Sequence, residues 1–97
     1  MATFITLVSF TDQGVRGVKD SPKRADAFKA MAAKAGASVK SIYWTLGHYD
    51  LVVTIEAPDA ATATSLNLAI GSAGNIRTET LTAFSAEEFG KILGKMG

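Results

Sequence analysis

The side chains best suited to chemistry are gathered in one short stretch of this sequence. Ile42-Tyr43-Trp44-Thr45-Leu46-Gly47-His48-Tyr49-Asp50-Leu51 holds the only tryptophan, the only histidine and both tyrosines of the chain. His48, Tyr49 and Asp50 are the candidate catalytic residues, because an imidazole, a phenol and a carboxylate side by side could carry acid–base work on a carbonyl or phenolic substrate. Each also has a plainer role. Gly47 can supply a backbone conformation that a side chain would forbid, and Asp50 can bond turn amides. Tyr49 can anchor an interface or offer its hydroxyl to a ligand. His48 is exposed on a turn unless a partner subunit encloses it for proton transfer. Trp44 shares a strand face with Ile42 and Leu46, which favours packing over ligand stacking.

A second constellation lies in the last strand. Thr78, Thr80 and Thr82, with Thr6 from the first strand, put small hydroxyls on a face otherwise lined by Phe and Ile. A mostly apolar surface with a few polar handles is what a small-molecule site needs, although threonine is also a good strand residue. Arg77 and Glu79 stand two apart on one strand face, where they can pair with each other or Arg77 can fork onto a carboxylate. The candidate ligand-binding residues are therefore Trp44, Tyr49, Asp50, Thr6, Thr78, Thr80 and Arg77. No metal is expected, since a lone histidine without cysteine makes neither a recognisable metal site nor a nucleophilic triad. No cofactor is expected either. The glycines at 14, 17, 71 and 74 lack phosphate-loop spacing, and a haem held by His48 would hang on a turn.

The elements that position these residues follow from periodicity. Ala2 to Thr11 is a β-rich run with apolar residues on both faces. Asp12 to Lys19, with two glycines and no period, reads as a loop. A helix starts at Ser21-Pro22, the serine as cap and the proline in the first turn. It buries Phe28, Met31, Ala32 and Ala35, leaves Lys23, Arg24, Lys29 and Lys34 on a solvated face, and stops at Gly36. Strands run over 38–46 and 50–57. A second helix over 60–72 follows Pro58-Asp59, with Thr62, Leu66, Ala69, Ile70 and Ala73 as its inner stripe. A fourth strand spans 75–84. Ser85-Ala86-Glu87-Glu88 is a capping box that opens a short amphipathic helix with Phe89, Ile92, Leu93 and Met96 at helical spacing. The order βαββαβ plus a C-terminal helix is an α+β, ferredoxin-like arrangement around a four-stranded antiparallel sheet.

Composition narrows the partners. Ninety-seven residues, 47% hydrophobic and 20% charged, suit one domain over 1–97 with a real core. The formal net charge is +1, with no basic stripe, so no nucleic acid is expected. No apolar run reaches membrane length and no leader pattern opens the sequence, which points away from a membrane and to the cytoplasm. Helices on one side of the sheet leave the other side apolar and bare. A homodimer or higher homo-oligomer would cover it.

The hairpin Gly47-His48-Tyr49-Asp50, preceded by Tyr43-Trp44-Thr45-Leu46 and followed by an apolar strand ending in Glu56-Ala57-Pro58-Asp59, resembles the signature of the GYD-domain family. Gly74 to Phe84 is similar to that family's last strand, and the likeness covers almost the whole chain. It implies a bacterial subunit of the dimeric α/β barrel type and leaves activity open. A weaker likeness of the same hairpin points to the effector-binding domains of Lrp/AsnC-type regulators, which are dimeric and form larger rings. Their DNA-binding helix-turn-helix has no counterpart in this sequence. The leading expectation is an oligomeric module that binds a small-molecule ligand or serves in assembly. The alternative is a cofactor-independent dimeric α/β-barrel enzyme, an oxygenase, isomerase or cyclase, with His48, Tyr49 and Asp50 as its acid–base groups.

Overall fold

Side-chain alternation in the strands decides the layering. A computed structural model describes residues 1–97 and shows β1 (Ala2–Phe10), α1 (Asp12–Arg16), a 3₁₀ turn (Val18–Asp20), α2 (Ser21–Lys34), β2 (Ser38–Trp44), β3 (Leu51–Ala57), α3 (Ala60–Gly71), β4 (Ile76–Ala83) and α4 (Ala86–Gly94). The strands form one antiparallel sheet in the order β2-β3-β1-β4. Phe4, Thr6 and Val8 of β1 and Leu51, Val53, Ile55 and Ala57 of β3 are buried on one face. Phe28 and Ala32 of α2 and Ala63 and Leu66 of α3 join these apolar side chains in a single cluster, so both helices cover that same face.

The segment read as a loop after β1 folds instead into α1 and the 3₁₀ turn. The Thr11 hydroxyl caps α1 by accepting from the Gly14 amide at 3.1 Å, and itself donates to the Gly74 carbonyl at 2.6 Å. Gly14 is there for close approach. A Cβ on it would lie 1.9 Å from the Asn75 carbonyl oxygen, far inside contact distance. Tertiary packing against the loop before β4 therefore builds a helix that local propensity does not announce.

Helix α2 begins where expected but is not capped by Ser21. Asp20 occupies the cap position without a side-chain bond, and Ser21 is a buried residue of the first turn. The end of α2 is a Schellman turn: Gly36 at φ +79° donates to Ala33, and Ala37 donates to Ala32. Ala35 is exposed and Ala37 is buried in its stead. In α3 the Asp59 carboxylate accepts from the Thr62 amide at 2.8 Å and its hydroxyl at 2.7 Å. This anchors the first turn and turns Ala63, Leu66 and Ile70 inward, so Ala69 and Ala73, expected inside, are exposed. Strand β2 stops at Trp44, leaving Leu46 in the turn and fully exposed. Phe84 lies past the end of β4 and is also exposed.

Much of the apolar surface remains uncovered. The accessible area is 6273 Å², against about 5,300 Å² for a closed monomer of this mass. The radius of gyration is 14.5 Å, against about 12.5 Å for a compact chain of this length. Helix α4 keeps its capping box, Ser85 and Glu88 bonding each other's amides, yet buries no residue. The capping box was legible in sequence, and the lack of any surface for its apolar stripe was not. No helix is long and apolar enough to cross a membrane.

Candidate functional site

The turn between β2 and β3 is held by backbone and hydroxyl bonds. The Thr45 amide donates to the Asp50 carbonyl at 2.8 Å, and the Thr45 hydroxyl donates to the Tyr49 carbonyl at 2.6 Å. Gly47 sits at φ +133°, where a side chain would be strained even though a Cβ there would meet no neighbour. Asp50 bonds no turn amide. Its backbone amide donates to Val8 at 2.8 Å, while one carboxylate oxygen accepts from the Phe10 amide at 2.8 Å. The side chain stands in for a strand carbonyl and extends the β1–β3 ladder by one rung.

Tyr49 reaches across the sheet. Its hydroxyl donates to Glu79 on β4 at 2.8 Å, and β1 lies between the two strands, so the phenol bridges the sheet surface at that end. The hydrogen bond to Glu79 raises the Tyr49 pKa above its ordinary value, with desolvation and the Glu79 charge adding in the same direction. His48 packs edge-on against the Tyr49 ring at 4.8 Å between centroids and is exposed. No group of three or more His, Asp or Glu side chains is gathered to hold a metal ion.

The sheet separates the sequence candidates into two groups. Thr6, Thr78, Thr80 and Trp44 lie on the helix side, as the pairings Val8↔Thr78, Thr6↔Thr80 and Trp44↔Leu51 require. Thr6 is buried and its hydroxyl lies 3.1 Å from that of Thr80, which accepts from Asn67 of α3 at 2.6 Å. The Trp44 indole donates to Ser21 of α2 at 3.0 Å, which ties the end of β2 to that helix, while the ring itself stays half exposed. Tyr49 reaches the opposite, open side, where Arg77 and Glu79 stand. Glu79 accepts from Tyr49 instead of pairing with Arg77, and the chain's salt bridge is Lys40–Glu56 at 3.5 Å. One site containing all the candidates does not exist. The open side also carries Ile5, Leu7, Val52 and Tyr43, with Leu81 on β4; Tyr43 and Leu81 are well exposed and the others half-buried.

Between the helices and the sheet is a cavity of about 70 Å³, whose walls include Thr6, Thr78, Phe28, Ile70 and Arg24. Helical periodicity puts Arg24 on the solvated face, and the structure corrects this. One terminal guanidinium nitrogen donates to the Gly17 carbonyl at 3.0 Å and the other terminal nitrogen is buried without a hydrogen-bond partner. The sequence carries no signal for this, because the residue turns inward to follow the 3₁₀ turn that precedes α2.

The sequence model of the GYD domain matches residues 4–93. A Thermus thermophilus protein named as a glutamine synthetase and cystathionine beta-lyase binding protein is 37% identical over 84 residues, covering 86% of this chain and 88% of that protein. A solved structure of a Thermus thermophilus protein is 27% identical, with a TM-score of 0.57 over 89% of this chain and 96% of its own. The Mycobacterium tuberculosis feast or famine regulatory protein, solved with L-methionine, shares the fold at 17% identity and a TM-score of 0.68. The match covers 89% of this chain, which spans only 52% of that regulator.

Proposed function

Because this chain belongs to the GYD-domain family, we propose that it is an oligomeric binding module without catalysis of its own, whose assembled form docks on enzymes such as a glutamine synthetase or a cystathionine beta-lyase. The observation that carries the reading is the open sheet face. Ile5, Leu7, Val52, Tyr43 and Leu81 form an apolar surface that no element of the same chain covers, and a second copy laid face to face would bury it. The excess of accessible area over a closed monomer is about 1,000 Å², comparable to the roughly 800 Å² that each partner loses in a standard interface. The exposed stripe of α4, Phe89, Leu93 and Met96, offers a second apolar surface to the same assembly.

Two features favour a binding role over acid–base chemistry. The Tyr49 hydroxyl and one Asp50 carboxylate oxygen are spent on Glu79 and on the Phe10 amide, which leaves the hairpin without a free, mutually oriented acid and base. The relative named as an enzyme-binding protein aligns over most of both chains. The test is a titration of the labelled oligomer with purified glutamine synthetase and with purified cystathionine beta-lyase, followed by fluorescence anisotropy. Saturable binding to at least one of them, weakened by substitutions in the hairpin, is expected. No binding to either enzyme at high micromolar concentration, by a protein that is verifiably folded, would overturn the reading.

A further inference from the structure

We propose that the cavity between the helices and the sheet binds a small monocarboxylic acid, with the Arg24 guanidinium as its counter-charge. Arg24 is the only charged residue in the lining. One of its terminal nitrogens is fixed by the Gly17 carbonyl, and the other is buried and bonded to nothing. A guanidinium cannot shed its proton, so neutralisation by a pKa shift is closed to it. A buried donor that carries charge and lacks an acceptor is costly, and an anion removes that cost.

The rest of the lining selects among anions. Phe28, Ile70 and Val53 give apolar walls, while Thr6 and Thr78 offer hydroxyls from the sheet. A carboxylate carrying a short alkyl chain satisfies both, whereas phosphate would bring hydrated oxygens against hydrocarbon. The volume, about 70 Å³, is several times the roughly 10–15 Å³ that one water requires, which suits a short chain. No aspartate or glutamate lines the cavity. An α-amino acid would therefore bury its ammonium without a counter-charge, and simple acids are preferred over amino acids. The cavity lies on the helix side of the sheet, away from the open face, so its occupancy is tested independently of assembly and enzyme docking.

The probes are sodium butyrate, norvaline, 1-butanol, inorganic phosphate and dodecanoate, each followed by calorimetry and by amide chemical shifts of Thr6, Asn67 and Thr78. Butyrate should saturate with shifts confined to the cavity, and the other four should bind at least roughly tenfold more weakly, a difference of about 1.4 kcal/mol or more. Arg24→Met, which keeps the bulk and removes the charge, should weaken butyrate by at least the same factor, with Arg24→Lys falling between. Ala25→Leu fills the cavity and should abolish binding with Arg24 in place, which keeps the test valid if Arg24→Met does not fold. Equal binding of butyrate and 1-butanol, norvaline binding as tightly as butyrate, unchanged affinity in Arg24→Met, or no butyrate binding at tens of millimolar would each overturn the assignment.

Discussion

Strand β3 presents two different surfaces to its surroundings. Leu51, Val53, Ile55 and Ala57 are all buried beneath the helices, whereas Val52, Thr54 and Glu56 on the opposite side stay only partly covered. β1 repeats the contrast, with Phe4, Thr6 and Val8 buried and Ile5 and Leu7 half-covered. Both sides carry apolar residues, so hydrophobicity does not distinguish them. The difference is that two crossover helices reach only one side of this topology, and α4 lends no buried residue to the other. The covered side answers to intrachain packing, and the open side is left out of it.

The strongest way to sharpen this contrast is to cut equally on both sides. Ile55→Ala removes a fully buried side chain and should lower unfolding free energy by about 2–5 kcal/mol by denaturant titration. Val52→Ala on the open side should cost less than about 1 kcal/mol in a monomer at high dilution. Equal losses at high dilution would show that the open side is covered within the chain. Gly14→Ala comes next. Its Cβ must displace the Asn75 carbonyl, and overpacking of this kind costs about 1–3 kcal/mol, visible as a lowered denaturation midpoint.

The hairpin separates stability from association. Gly47→Val should cost roughly 1–3 kcal/mol through positive-φ strain. Asp50→Asn should cost about 1 kcal/mol or less, because an amide oxygen can still accept from the Phe10 amide. Tyr49→Phe loses a bond between exposed groups and should barely move the melting temperature. If Tyr49→Phe and Asp50→Asn nonetheless weaken oligomer or enzyme binding, the motif serves association; proportionate losses in both measurements would make it purely structural.

The smallest effects are in the pH dependence. Hydrogen bonds from the Thr62 hydroxyl and amide lower the Asp59 pKa in the folded chain, and bonds from Ser85 lower that of Glu88. Depressed folded values mean stability that is complete above the ordinary carboxylate range, near about 4, and is lost as pH falls through the folded values. Tyr49 has the opposite sign: its raised folded value gives stability that is full below about 10 and lost as pH climbs through that raised value. A melting curve that is flat from pH 5 to 2 would contradict the capping contribution.

Element types and order were readable because they depend on local rules: two-residue alternation in β1 and β3, the Asp59 and Ser85 caps, and Gly36 after α2. α1 was not, since its reason is the fit of Gly14 against Asn75, sixty-one positions away in the chain. Arg24 was misplaced for a related reason: a helical wheel assigns a direction to its Cβ, while a long side chain can turn back to the Gly17 carbonyl and the cavity. The candidate residues were picked by side-chain type and spacing, and neighbouring residues on a strand alternate sides. Arg77 and Thr78 therefore face different compartments, a separation that spacing implies once the helix side is known.

On the proposed reading the open face is an interface between copies of this chain, and sedimentation equilibrium across a nanomolar to high-micromolar range tests that most directly. Wild-type protein should move from monomer to dimer, or to a multiple of it, and Leu7→Asp on the open side should raise the dissociation constant by roughly a hundredfold or more, about 2.7 kcal/mol, with native spectroscopy retained. A wild-type chain that stays monomeric with native spectroscopy at the highest concentration would contradict it.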